Sequence, residues 1–146
     1  MPSSNEPGTA AGLAAGLRAT VRASVTEADT AEAMGSGNMP VLATPRLLAL
    51  AEAATVAAVG PHLADGLTTV GTAASLEHRA ASPLGAVVVV EAELTEVDGR
   101  RLVFDFIARA DDVDDDVVVG AGTVERVVLD RARFLARAGA EAPGRS

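Results

Sequence analysis

The chain has 146 residues and a net charge of −8, all twelve of its basic residues are Arg, and it contains no Cys, Trp or Tyr. An acidic chain with no basic run and almost no aromatic side chains lacks the footprint of a nucleic-acid binder, and the absence of Cys excludes disulfides, thiol nucleophiles and zinc-thiolate sites. One domain with a real core is expected at this length, but a core of Ala, Val and Leu buries little area per residue and favours an added subunit interface.

Residues 1–15, rich in Pro, Gly, Ser and Ala, read as a flexible tail, with the folded domain over 16–131 and a second tail over 132–146. The start resembles no signal peptide, and no run approaches the roughly 20 apolar residues that span a bilayer, so a cytoplasmic, non-membrane protein is expected. Residues 16–25 alternate as a strand, and residues 26–40 are ambiguous, with Gly35, Gly37 and Pro40 making the second half a loop. Residues 45–59, PRLLALAEAATVAAV, read as a helix of roughly 22 Å, with Thr44 able to cap it, Pro45 suited to its first position and Gly60-Pro61 ending it.

Strands follow. LTTVGTAASLEHRAA from Leu67 has a β-branched start and no helical period, Ser82-Pro83-Leu84-Gly85 is a turn, and AVVVVEAELTEV from Ala86 is a long strand. Asp98-Gly99 signals a hairpin into RLVFDFIARA, where Leu102, Phe104, Phe106 and Ala108 share a face. An acidic turn over residues 111–116 leads to the last strand, VVVGAGTVERVVL, and from Arg131 the chain is a short helix or disordered. The pattern is α+β: an antiparallel sheet of about five strands and one long apolar helix to cover it.

Glu52 is the anomaly. It stands midway along a stretch where only Arg46 and Thr55 are otherwise polar. A helix apolar on nearly every side is normally buried on nearly every side. A carboxylate there needs a hydrogen bond, an ion pair or a proton. Other residue types suited to chemistry occur along the chain: a His able to shuttle a proton near neutral pH, and glycines whose backbone a ligand can approach closely.

Ala43-Thr44 with Glu52 eight residues on, Val70-Gly71-Thr72, Glu77-His78-Arg79, Ser82-Pro83-Leu84-Gly85 and Gly122-Thr123-Val124-Glu125-Arg126 together resemble the fluoroacetyl-CoA thioesterase branch of the hot-dog thioesterases, in order, from about Val41 to Leu129. The resemblance implies a hot-dog fold, with the sheet wrapped around the central helix. It also implies hydrolysis of a small or unusual acyl-CoA or carrier-protein thioester. Thr44, Glu52 and His78 become the catalytic set: Glu52 as nucleophile or base, His78 as general acid–base and Thr44 orienting. Gly71 falls at the oxyanion or thioester position, and Arg126 takes a pocket or supporting role. No metal and no separate cofactor are implied, coenzyme A being part of the substrate, and the partner is a second copy of the chain, in a homodimer or higher homo-oligomer. One departure bears on specificity: the branch carries aromatic residues in the loop before Ala-Thr, whereas here that loop reads GSGNMPVLAT.

Each residue also has a plainer reading. Glu52 can be a structurally paired acid, Thr44 a helix cap, Gly71 the mark of a strand bulge and His78 a solvent-facing strand residue, although alternation puts it on one face with Leu76. His62 reads as a surface residue, the acidic turn as solvated rather than a cation loop, and Arg100-Arg101 as either solvated charges or a contact for phosphates. If Thr44 and Glu52 share one straight helix they stand roughly 12 Å apart along it, so either Thr44 folds back from a loop or one of them comes from a partner subunit. The alternatives in function are a non-catalytic acyl-thioester binding module and, for a hydratase or dehydratase, an Asp-x-x-x-x-His stretch that does not occur.

Overall fold

The computed structural model describes residues 12–111 and 117–139. Its elements are β1 (Arg18–Ser24), a 3-10 turn (Glu27–Asp29), α1 (Ala31–Met34), α2 (Thr44–Val59), a second 3-10 turn (Gly60–His62), β2 (Leu67–His78), β3 (Val87–Asp98), β4 (Arg101–Ala110), β5 (Val118–Asp130) and α3 (Arg131–Ala138). The five strands form one antiparallel sheet in the order β1-β3-β4-β5-β2, and α2 packs mainly against β1 and β3. Long alternating strands with one apolar helix on their inner face give the α+β architecture expected from the pattern.

The inner layer is small and aliphatic. Leu47, Leu50, Ala51, Ala54, Ala58 and Val59 of α2 meet Val88, Val90, Ala92 and Leu94 of β3 and Leu102, Phe104, Phe106 and Ala108 of β4, all buried. Alternation along β3 and β4 sends these inward and their neighbours outward. Leu13 joins the same core. Among the described residues no helix is long and apolar enough to cross a membrane.

Two connections depart from what local signals suggest. The Asp98-Gly99 hairpin forms, with Gly99 at φ +62° and Asp98 facing Arg101. Yet β2 does not pair with the strand that follows it. It crosses to the far edge and pairs with β5, and the turn at Ser82-Pro83 is part of the crossover, held where Leu42 N–H donates to Ser82 O at 2.9 Å and Gly85 N–H donates to Val25 O at 2.9 Å. Pairing partners are chosen by the whole sheet, and no local turn residue reports them.

The other departure is at the start of α2. Ala43, not Thr44, is the N-cap, and no side chain caps the helix. Asp29 anchors that end instead: its carbonyl accepts from Ala43 N–H at 2.9 Å, and its carboxylate pairs with Arg46 Nε at 2.8 Å. The Thr26 backbone N–H, with help from the Thr26 hydroxyl and Arg46, holds the Asp29 carboxyl below its ordinary range. With no capping role at the helix start, the Thr44 hydroxyl is free for another partner.

Candidate active site

That partner is His78. Thr44 Oγ1 lies 2.7 Å from His78 Nδ1, joining the first turn of α2 to the last residue of β2. The other ring nitrogen, Nε2, is buried and has no hydrogen-bond partner among the described residues. Burial pushes the imidazole below its ordinary pKa, with a backbone contact at Ala80 pulling the other way, so the ring favours its neutral form. A cleft of about 360 Å³ opens beside the pair; Thr44 and His78 line it together with Asn38, Met39, Val41 and Ala80.

Glu52 belongs to a second group, one layer along the helix. Its carboxylate is not enclosed: the side chain is 41% exposed, because α2 leaves one face open through Ala49, Ala53, Val56 and Ala57. The expectation of a helix buried on nearly every side is corrected here. An Ala-rich surface is apolar in composition, but composition does not tell whether the chain's own strands cover it. Oε2 of Glu52 pairs with Arg126 Nη1 at 3.4 Å. Arg126, on β5, is buried and held by Thr69, whose hydroxyl accepts from Nε at 2.8 Å and whose carbonyl accepts from Nη2 at 3.1 Å. Burial draws the Arg126 guanidinium below its ordinary range, and the charge of Glu52 opposes that.

Gly71 receives a physical reason. A Cβ there would lie 2.6 Å from Glu52 Oε2 and 3.4 Å from Arg126 Nη1, so the carboxylate rests where only a glycine leaves room. The strand is also bulged at this point, its register against β5 shifting between Gly71 and Ala73. Thus the bulge reading of Gly71 and the close-approach reading both hold. The bulge has a further consequence. Gly71 and His78 are seven residues apart, an odd spacing that places two side chains on opposite faces of a regular strand. The extra residue switches the parity, and both positions face α2.

The structure therefore brings the predicted residues together as two sets: Thr44 with His78, and Glu52 with Gly71 and Arg126. It does not join the sets. Glu52 lies about 12 Å along the helix from Thr44, and Gly71 lies roughly 20 Å along β2 from His78. Sequence reasoning missed Thr69, because a threonine in a strand is ordinary and its link to Arg126 is made across the sheet. Arg101 is committed to Glu125 at 2.9 Å and Glu96 at 3.4 Å, which leaves it poorly placed for phosphates. Among the described residues no three His, Cys, Asp or Glu converge as metal ligands; residues 112–116 of the acidic turn lie outside the described residues.

An antiparallel sheet curved along one long helix, with a polar pair at the helix start and a carboxylate at its middle, defines a hot-dog thioesterase. A family model described as the fluoroacetyl-CoA-specific thioesterase, FlK, matches residues 25–132. The fluoroacetyl-CoA thioesterase of Streptantibioticus cattleyicolor is 41% identical over 103 residues, 70% of this chain and 71% of that protein. The solved structure of the fluoroacetyl-CoA thioesterase FlK superposes with a TM-score of 0.78 at 34% identity, covering 90% of this chain and 99% of its own. A Thermus thermophilus member of the thioesterase superfamily superposes with a TM-score of 0.77 at 26% identity, covering 87% of this chain and 91% of its own. The chain belongs to the FlK family of fluoroacetyl-CoA-specific thioesterases, and it is an enzyme, a thioester hydrolase.

Proposed function

We propose that the chain hydrolyses the thioester of a small or unusual acyl group carried on coenzyme A or on a carrier protein. Glu52 serves as nucleophile or water-activating base, His78 as general acid–base and Thr44 as its orienting partner. Gly71 stands at the oxyanion or thioester position, and Arg126 supports Glu52. The observation that carries this reading is the 2.7 Å contact of Thr44 Oγ1 with His78 Nδ1, which leaves a buried, unpaired Nε2 beside an open cleft. An unsatisfied buried nitrogen costs stability, and a substrate that supplies its partner gives the cost a purpose.

The chemistry closes with side chains alone, coenzyme A entering as part of the substrate. Glu52 either removes a proton from water as that oxygen bonds to the acyl carbon, or adds to the carbon itself to form a mixed anhydride that water then cleaves. Charge gathering on the carbonyl oxygen is met by backbone N–H groups near Gly71. In the water route the carbon–sulfur bond breaks as the tetrahedral adduct collapses, and the proton held by Glu52 is relayed through His78 to the departing sulfur. In the anhydride route the sulfur leaves as thiolate when the anhydride forms and takes its proton, through His78, from the water that then cleaves the anhydride.

One acyl carbon cannot lie within bonding reach of both sets in a single chain, which supports a homodimer. In it, Glu52 and Gly71 of one protomer face the partner subunit's Thr44 and the partner subunit's His78. The open surface favours this. Strand β2 is an edge, its residues 71–75 are exposed, and beside them α2 presents Ala49, Ala53 and Val56 to solvent. Sedimentation should show a dimer or a larger assembly. A stable 14.7 kDa monomer at micromolar concentration would overturn the shared site.

Release of free thiol from short, branched, fluorinated and aryl acyl-CoAs tests the activity. With no aromatic side chain in residues 35–40, acetyl- and fluoroacetyl-CoA are expected to turn over with little discrimination. A large preference for the fluorinated substrate would show that an aromatic lid is unnecessary here, and no thiol release from any member would remove the proposed substrate class.

A further inference from the structure

Arg126 is held in an unusual way for the partner of a carboxylate. Both acceptors of Thr69 are spent on it, the hydroxyl on Nε at 2.8 Å and the carbonyl on Nη2 at 3.1 Å, and the pair is buried between β2 and β5. A guanidinium is planar, so two contacts on neighbouring nitrogens fix its plane as well as its position. Only Nη1 then extends toward Glu52, and it stops 3.4 Å from Oε2. Charge-assisted pairs close to about 2.7–2.9 Å when nothing restrains them, and Arg commonly grips a carboxylate with two nitrogens. Here one nitrogen makes one long contact.

Resting on the reading of Glu52 as the catalytic carboxylate, we propose that Thr69 is a positioning residue for hydrolysis. It holds Arg126 back, so that the guanidinium steadies Glu52 over Gly71 without drawing it into a tight two-nitrogen pair. A carboxylate gripped on both oxygens has its lone pairs occupied, and it is a poorer nucleophile and a poorer base. Without the Thr69 hydroxyl, Nε is left buried and unpaired, and the guanidinium turns toward the neighbouring carboxylate to satisfy it.

Thr69→Val keeps the shape and suits a strand, removing the acceptor alone. In the full-length protein kcat is expected to fall about tenfold with KM for an acyl-CoA unchanged within about twofold, as displacement of a reacting group predicts. Thr69→Ser, which restores the hydroxyl, should recover most of the loss. Introduced into Glu52→Gln, Thr69→Val should cost nothing further, because the group it positions is gone. Should the Val variant not fold by circular dichroism, Thr69→Ala is measured in its place. A loss of kcat that Ser does not rescue, or one that adds in full to Glu52→Gln, marks a packing role and overturns the proposal. An inactive Glu52→Gln beside a normally active Thr69→Val overturns it while leaving Glu52 catalytic. Normal hydrolysis by Glu52→Gln removes both the catalytic carboxylate and any role in positioning it.

Discussion

Glu52→Gln is expected to lower thioester hydrolysis at least ~10²-fold while acyl-CoA affinity changes little. The substitution keeps nearly the same volume and removes only charge and basicity. Stability should move by no more than about 1 kcal/mol, because the carboxylate is 41% exposed and its ion pair with Arg126 is long at 3.4 Å. Arg126 keeps its two hydrogen bonds to Thr69 in the variant, and although it loses the opposing charge, the amide oxygen that replaces Oε2 can still accept from Nη1. A structural role predicts the reverse, a shifted melting temperature and near-normal turnover. Thiol release and thermal melting of the same variant separate the two, and a folded Glu52→Gln enzyme with near-normal hydrolysis would end the catalytic reading.

The second large effect is expected at His78. Replacing it by Ala removes the proposed proton path to the departing sulfur and should lower kcat by about 10²-fold or more. The pH dependence carries a sign. Burial lowers the pKa of the folded state below the ordinary 6.5, so the neutral, proton-accepting ring persists to a more acidic pH than a free imidazole allows. The acid limb of kcat/KM that belongs to His78 should therefore lie below 6.5. Stability follows the same shift. Between the folded and the ordinary value the unfolded chain binds the proton and the folded chain does not, so stability contributed by neutral His78 is present above pH 6.5 and is lost as pH falls toward the folded value. His78→Ala should flatten that part of the melting-temperature profile. A wild-type profile with no such slope, or an acid limb above 6.5, would contradict the burial of the ring.

The two sets of residues explain why neither variant can be read from the other. Thr44 and His78 are fixed by one hydrogen bond across the helix start, while Glu52 is fixed by Arg126 and by the space above Gly71. Loss of either set leaves the other intact in the same protomer. In the proposed homodimer, mixing Glu52→Gln with His78→Ala protomers therefore restores one complete site per heterodimer, which thiol release reads directly.

Much of the fold was legible because its signals are local. Residues 45–59 carry an apolar run broken only by Arg46, Glu52 and Thr55, with a Pro at the front and a Gly behind, and α2 runs from Thr44 to Val59. Leu102, Phe104, Phe106 and Ala108 alternate inward as period-two reading requires, and Asp98-Gly99 turns the chain as its φ demands. The ordered motifs also named the family, since residue type and spacing persist where the surrounding sequence drifts.

What the sequence alone determined, then, was the main strands and the long helix and the chemical kind of each candidate residue: a carboxylate on the helix, a histidine in a strand, a glycine where a backbone can be approached. Tertiary structure decided the rest. That β2 lies at the far edge beside β5, that a bulge turns Gly71 and His78 to the same face, and that Thr69 clamps Arg126 all depend on which strands meet. Thr44 is not the cap but the partner of His78, because Ala43 stands at the cap position, where Asp29 of the preceding 3-10 turn holds its backbone N–H. Glu52 proved half-exposed because burial depends on what covers a surface, and its cover is not written along the helix. Local periodicity records which way a side chain points within its own element; only the packing of elements far apart in the chain decides what it meets there.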